Sequence, residues 1–324
     1  MAGGLAMVLS GGGARGAFQV GVMDALIREH GVKFDIFAGV STGAIQALGG
    51  AMNDVPGLVD EWTSIKGNND IYKKRPLGAV GAVFGADSLF DAKPIREKMK
   101  AYADPAKIKA AKRQLRISSV NLASGESVDF DEKNPDIGDW VYASSAQPPF
   151  FQPFRKKNAA GVVEQWVDGG VRNVTPLSSA MALKPKALLV VLAQPTEAEA
   201  KPGKIFDNLI DVALRSVGIL NAEVSTNDIG NAMLIKDLLA AREAQFRKLT
   251  EFGLSAAQMA SAMQPFDEQL SRYSFAPIRI IAPAIGFDAA ESMEFKPAKI
   301  KAAIEHGRAI VAAQWPSLKL FLGA

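Results

Sequence analysis

The chain has no cysteine and only two histidines, His30 and His306, among its 324 residues. The first absence excludes a disulfide scaffold, a thiolate nucleophile and any cysteine-based zinc or iron–sulfur site. The second leaves too few imidazoles for a histidine-rich metal centre. Charge of either sign is not in excess. The 37 Lys and Arg against 34 Asp and Glu leave +3, too little to draw nucleic acid over a whole surface. Nor is there a long apolar run. Ala187 to Ala193 is the longest; it falls far short of the roughly 20 residues that span a bilayer and reads as a buried strand. The opening MAGGLAMVLSGGG lacks a basic start and turns glycine-rich after a few apolar positions, unlike a secretory signal. The expectations are a cytoplasmic location, with peripheral contact with a membrane or lipid surface left open, no nucleic-acid partner and no metal. Oligomeric state is not encoded.

What is present is ordinary for a folded chain: 48% hydrophobic, 22% charged, 29 Gly and 17 Pro. The length suits one large domain or two smaller ones. Leu5–Leu9 is a short apolar strand, Ser10–Gly16 a glycine-rich loop, and Ala17–His30 a helix with Phe18, Val22 and Leu26 on one face. Phe34–Val40 is a second strand, Ser41 a turn, and Thr42–Met52 a helix of small residues. This alternation predicts an α/β fold with a mainly parallel central sheet covered by helices on both faces. Further strands are expected at Leu115–Val120, Ser127–Phe130, Val162–Val167, Ala187–Ala193 and Ile278–Ala282. Ile95–Lys112 reads as one basic helical stretch, and residues 205–272 as mostly helix. Ala298–Gln314 reads as a closing helix ended by Trp315–Pro316. The expected organisation is a single domain over 1–324. It has a motif-bearing core at about 5–193, a helical excursion at about 195–275, and a returning strand and helix at 277–324.

Three motifs carry chemistry. Gly39-Val40-Ser41-Thr42-Gly43 fits G-x-S-x-G, in which a serine sits on a sharp strand-to-helix turn with its hydroxyl exposed. Ser41 is the candidate nucleophile; the competing reading is a serine that merely caps the helix. Gly11-Gly12-Gly13-Ala14-Arg15-Gly16 lies between a strand and its helix, where exposed backbone N–H groups welcome an anion. In acyl transfer that anion is the oxygen of a tetrahedral intermediate. A phosphate cradle is the alternative, although the Gly-Lys-Ser/Thr ending of a nucleotide loop is missing. Asp168-Gly169-Gly170 follows the strand Val162–Val167, placing an acid at a strand's C-terminal end, where open parallel sheets put their sites.

Together these motifs resemble the patatin-like phospholipases, whose members carry G-G-G-x-R-G, G-x-S-x-G and D-G-G/A in that order. Ala143-Ser144-Ser145-Ala146 with Pro148–Phe151 resembles the family's A-S-x-A-x-P segment. The likeness covers residues 5 to about 180 and more weakly the closing elements; 195–275 matches nothing in the pattern. It implies a Ser41–Asp168 dyad, an oxyanion hole from Gly11, Gly12 and Gly13, and a site shaped by Arg15, Gly16, Gly39, Gly43, Gly169 and Gly170. It also implies a lipid or acyl-ester substrate and no cofactor. The histidine count agrees with a dyad, because a triad needs an imidazole between serine and acid. His306 alone would give the order Ser, Asp, His. The readings of function are a lipid acyl hydrolase of phospholipase A or lysophospholipase type, an acyltransferase with the same nucleophile, and a lipid-binding protein without activity. Nine Lys or Arg residues over Lys93–Arg116, and Arg155-Lys156-Lys157 beside Phe150, Phe151 and Phe154, suit either an anionic membrane or plain solvent. The apolar stripe over Ile205–Leu220 suits a lid or a core-packing helix.

Overall fold

The computed structural model describes residues 3–75, 85–195, 203, 205–270, 276–287 and 291–324. Ten strands occur among them: β1 (Leu5–Leu9), β2 (Ile36–Gly39), β3 (Lys73–Lys74), β4 (Phe90–Asp91), β5 (Gln114–Asn121), β6 (Ser127–Asp131), β7 (Phe154–Lys157), β8 (Val163–Asp168), β9 (Ala187–Val191) and β10 (Ile278–Ile281). The α-helices are α1 (Ala17–Met23), α2 (Thr42–Ala51), α3 (Val55–Thr63), α4 (Lys93–Tyr102), α5 (Pro105–Ala111), α6 (Ile137–Ser145), α7 (Leu177–Met181), α8 (Leu209–Glu251), α9 (Ala256–Leu270) and α10 (Pro297–Leu322).

Eight strands form one sheet in the order β10-β9-β1-β2-β5-β8-β7, with β6 paired on β5. The first five of that order run parallel. The remaining pairings, β5 with β6, β5 with β8 and β7 with β8, are antiparallel. β1 is buried on both faces, as a central parallel strand must be. Met7 and Leu9 face a large core with α1, α2, α3 and α10, whereas Ala6 and Val8 face a smaller one with Leu177 and Ala180 of α7. Helices thus cover both faces of a mainly parallel sheet, as the alternating pattern predicts. The helical excursion leaves after β9, and β10 returns to pair with β9 in the same sheet.

Register sets the heights of the functional loops. Leu9 pairs with Gly39 and with Val191, and Gly39 pairs with Ile117. The glycine-rich loop after β1 and the Ser41 turn after β2 therefore leave the same sheet edge side by side. β8 enters from the opposite direction and sets Asp168 against Ser119 of β5. Ser119 lies two residues beyond Ile117, as Ser41 lies two beyond Gly39. Ser41 and Asp168 so stand at one height, separated only by β5. The expectation from parallel sheets placed Asp168 correctly at the edge, but its strand is antiparallel.

Other expectations need correction. Ile95–Lys112 is two helices, because Asp104 before Pro105 is extended and caps α5 by accepting the Ala106 and Lys107 N–H groups at 2.9 and 3.2 Å. α10 does not end at Trp315–Pro316. Pro316 has no N–H to donate, yet the helix continues to Leu322, with Leu318 and Leu322 held in the core. β7 was not expected; its basic tetrapeptide hides a strand that β8 pairs. Phe150, Phe151 and Phe154 are buried, and Arg155 and Lys156 pair with Asp87 and Asp136. These aromatics therefore offer no apolar anchor beside the basic residues. The segment 194–203, rich in Pro, Glu, Ala and Lys and so linker-like in sequence, lies mostly outside the described residues.

α1 crosses α10 at glycine. A Cβ on Gly21 would lie 1.9 Å from the Ile304 carbonyl oxygen, and one on Gly307 would lie 2.3 Å from that of Phe18. The chain continues past α1 as a wide turn at whose start Asp24, fully buried, takes Arg28 at 2.5 Å and Arg308 of α10 at 2.7 Å. Gly21→Ala is expected to lower unfolding free energy by about 2 kcal/mol or more, since backbone must move. Gly230→Ala, on α8 with nothing within 4 Å of the new Cβ, is expected to raise it by about 0.5–1 kcal/mol. Urea denaturation of both variants checks the contrast; equal effects would contradict the close crossing.

Candidate active site

Ser41 occupies a left-handed backbone conformation, φ 57° and ψ −128°, that a serine adopts only under constraint. The constraint is visible. A Cβ on Gly39 would lie 2.1 Å from the Gly43 carbonyl oxygen, and one on Gly43 would lie 2.1 Å from that of Leu9. The flanking glycines are thus fixed by backbone packed against backbone. Ser41 N–H donates to Ser144 Oγ at 3.1 Å, and Ser144 Oγ donates to the Ser118 carbonyl at 2.7 Å. The Ser145 hydroxyl donates to the Ser41 carbonyl at 3.1 Å. The segment 143–146 therefore clamps both backbone groups of the turn. The Ser41 hydroxyl makes no capping hydrogen bond to α2, which removes helix capping as the reason for a serine here.

Asp168 is completely buried. Its Oδ1 accepts the Gly170 N–H at 2.7 Å, and its own N–H donates to the Ala146 carbonyl at 3.1 Å. Oδ2 is buried and completes no hydrogen bond among the described residues. Burial pushes the carboxyl up to about 7; the Gly170 N–H and the Ser41 hydroxyl pull the other way without cancelling that shift. Ser41 thus faces an acid that is half-ionised near neutrality and has an oxygen to spare.

The glycine-rich loop closes the third side. Gln19, buried on α1, donates from Nε2 to the Ser10 and Val191 carbonyls, both at 2.9 Å, and holds the loop to the sheet edge. The Gly11 N–H donates to the Val174 carbonyl at 2.9 Å and is not free for an oxyanion, a correction to the expected three-glycine hole. Neither the Gly12 nor the Gly13 N–H has an acceptor among the described residues. Gly13 sits at φ +60° with the Ser292 carbonyl 2.0 Å from where a Cβ would stand. A Cβ on Gly16 would lie 2.2 Å from Thr42 Oγ1, so that glycine seats the loop against α2. Gly169 likewise abuts the Ser118 carbonyl of β5, 2.4 Å from an added Cβ. Arg15 reaches outward, donating to Gln194 Oε1 at 2.8 Å and pairing with Glu291 at 3.5 Å. It braces the loop against two neighbouring segments.

Ser41, Asp168 and Gly11–Gly13 line one cleft, which encloses about 1170 Å³ counting its open mouth. Its walls are largely apolar: Trp62, Ile95, Met99, Phe150 and Phe295 from the body, and Leu214 and Val217 from α8. Neither histidine lines it. His30 stacks on Trp315 with ring centres 3.6 Å apart. His306 Nε2 accepts the Ala284 N–H at 3.1 Å, its ring stacks on Phe287, and burial lowers its pKa. Among the described residues no group of three or more His, Asp or Glu could hold a metal ion, and no helix is long and apolar enough to cross a membrane. Sequence reasoning missed Gln19 and Val174, since an isolated glutamine in a helix and a valine in a loop carry no motif.

The patatin-like phospholipase family model matches residues 7–181, more than half of the 324 residues, and the chain belongs to that family. Among solved structures it is similar to VipD from Legionella pneumophila, with 15% identity and a TM-score of 0.44 over 98% of this chain and 67% of that one. It is also similar to human GIVD cytosolic phospholipase A2, with 11% identity and a TM-score of 0.46 over 99% of this chain and 60% of that one. No curated protein matches at a significant level. The family match ends at α7, so α8, α9 and the closing elements lie beyond it.

The buried carboxyl has a consequence for stability. With its folded value raised from 3.8 to about 7, Asp168 binds a proton more tightly folded than unfolded. Its contribution to stability therefore falls as pH rises through that window and levels off above it. Asp168→Asn removes the cost of the buried charge while keeping an acceptor for Gly170. Relative to wild type, the variant is expected to gain roughly 2–4 kcal/mol between pH 4 and pH 8, read by urea denaturation at each pH. A constant difference would mean that Asp168 titrates normally.

Proposed function

We propose that the chain is a lipid acyl hydrolase of phospholipase A or lysophospholipase type that works through a Ser41–Asp168 dyad. The observation that carries this reading is the pairing of a strained, uncapped Ser41 with a buried Asp168 whose Oδ2 lacks a partner, at the head of a cleft with apolar walls. An acyl chain lies along those walls and its ester carbonyl reaches Ser41. Ser41 Oγ attacks the carbonyl carbon as its proton passes to Asp168, which near pH 7 is basic enough to take it and acidic enough to return it. The Gly12 and Gly13 N–H groups receive the oxyanion. When the C–O bond breaks, Asp168 gives the proton to the leaving alcohol and an acyl-serine remains. Water then attacks that ester, Asp168 accepts its proton, and the fatty acid leaves as Ser41 is restored.

The test uses a medium-chain nitrophenyl ester and phosphatidylcholine vesicles, with circular dichroism confirming that each variant is folded. Ser41→Ala and Asp168→Asn are expected to lose activity by about 10³-fold or more, and His306→Ala to keep it. A fluorophosphonate is expected to label wild type and not Ser41→Ala. Activity that survives Ser41→Ala would overturn the reading, and an inactive His306→Ala would replace the dyad by a triad. Adding an alcohol acceptor reads the competing transfer reaction: an acyl ester of that alcohol as the main product would make the chain an acyltransferase.

A further inference from the structure

α8 is not simply a cover, because one stripe of it grips the loop that follows Asp168. Leu214, Val217, Gly218 and Asn221 line the cleft, and the same face continues one and two turns later as Ser225 and Asp228. Ser225 is buried and its hydroxyl lies 3.1 Å from Thr175 Oγ1. The Thr175 N–H is shared, accepted by Asn173 Oδ1 at 3.0 Å and by Asp228 Oδ2 at 3.2 Å, and the Val174 N–H acts on the same Asp228 carboxylate. Thr175 is fully buried, so water does not compete for these hydrogen bonds. Val174, buried in turn, accepts the Gly11 N–H on its carbonyl and lines the cleft. A continuous path therefore runs from the α8 carboxylate through Val174–Thr175 to Gly11, the residue before the two free N–H groups.

We propose that Asp228, assisted by Ser225, is a positioning residue: it fixes the Val174–Thr175 segment so that the glycine-rich loop holds its N–H groups toward Ser41 while α8 is seated as a wall of the cleft. The inference rests on the hydrolase reading and assigns a role to a helix outside the family match. Burial raises the Asp228 carboxyl to about 6, against the pull of the Thr175 and Val174 N–H groups. No charged side chain of α8, of the 169–175 loop or of α7 contributes to that shift among the described residues, and neither does Asp168. Protonation weakens the charge-assisted hydrogen bonds that hold the segment. Activity that requires both the Asp168 and the Asp228 carboxylates falls more steeply with acid than activity that requires one.

The test measures nitrophenyl ester hydrolysis by the full chain from pH 5 to pH 9 for wild type, Asp228→Asn, Ser225→Ala and Ser41→Ala, with circular dichroism at each pH. For wild type, log kcat/KM is expected to fall with slope about one below pH 7 and to steepen to about 1.5 between pH 6 and pH 5. Asp228→Asn is expected to keep a slope of about one throughout and to lose about tenfold in kcat at pH 8 with KM changed little. Ser225→Ala, which keeps the carboxylate, is expected to keep the steeper limb with about a twofold to threefold lower kcat. An Asp228→Asn enzyme with wild-type kcat and the wild-type acid limb would overturn the proposal. So would a Ser225→Ala enzyme of full activity should Asp228→Asn fail to fold. The slope is read as a difference between variants and does not depend on which group is the base. Retained activity in Ser41→Ala would instead mark failure of the hydrolase reading itself.

Discussion

A carboxyl group with no exposure to water, one oxygen bound to a single backbone N–H and the other left without a partner, is the constraint on which the rest of this site depends. Isolated in this way, Asp168 would sit in the protein's interior as a protonated acid with no role. The antiparallel entry of β8 puts it beside Ser119 and level with Ser41, whose hydroxyl favours the charged form of the carboxyl. Burial alone moves its pKa toward neutrality, and one N–H and one hydroxyl are too few to bring it back. The proposed dyad then needs no imidazole, and the two histidines are both engaged elsewhere, His30 on Trp315 and His306 on Phe287.

The strain at Ser41 is the complementary half. The residue keeps its left-handed conformation because Gly39, Gly43 and Leu9 are packed backbone to backbone and because Ser144 and Ser145 hold its N–H and carbonyl. Ser144 and Ser145 close α6, and the next residue, Ala146, accepts the Asp168 N–H on its carbonyl. The segment 143–146 thus touches both members of the proposed dyad and fixes one relative to the other, although it carries no ionisable side chain. The glycine-rich loop is tied in independently, by Gln19 to the sheet edge and by Gly11 to Val174. Three separate anchors therefore converge on one cleft.

Much of this was legible in the sequence, and the reasons differ by residue. Short apolar strands such as Ala187–Val191 announce themselves because a strand buried on both faces has no polar positions. The glycines at 39 and 43 announce the elbow because no other residue fits between the carbonyls of Leu9 and Gly43. The direction of β8 was not legible, since strand polarity is decided by pairing partners far away in sequence. β7 was hidden because half of its side chains face solvent and are basic. The commitment of the Gly11 N–H depends on a loop valine 163 residues away, and nothing local signals it. Pro316 misleads because buried leucines beyond it outweigh one missing helical hydrogen bond. Asp228 looked like one more acid on a polar helix. Only its tertiary contact with Thr175 distinguishes it.

The most direct measurement on the central claim is the titration of Asp168 itself, by infrared difference spectroscopy of its carboxyl C=O band, wild type minus Asp168→Asn, from pH 4 to pH 9. The account predicts a buried carboxylic acid that loses its proton with a midpoint near 7. A midpoint near the ordinary value of about 4 for an aspartate would contradict it. Asp168 would then be fully ionised at neutral pH and too weak a base for the role assigned to it.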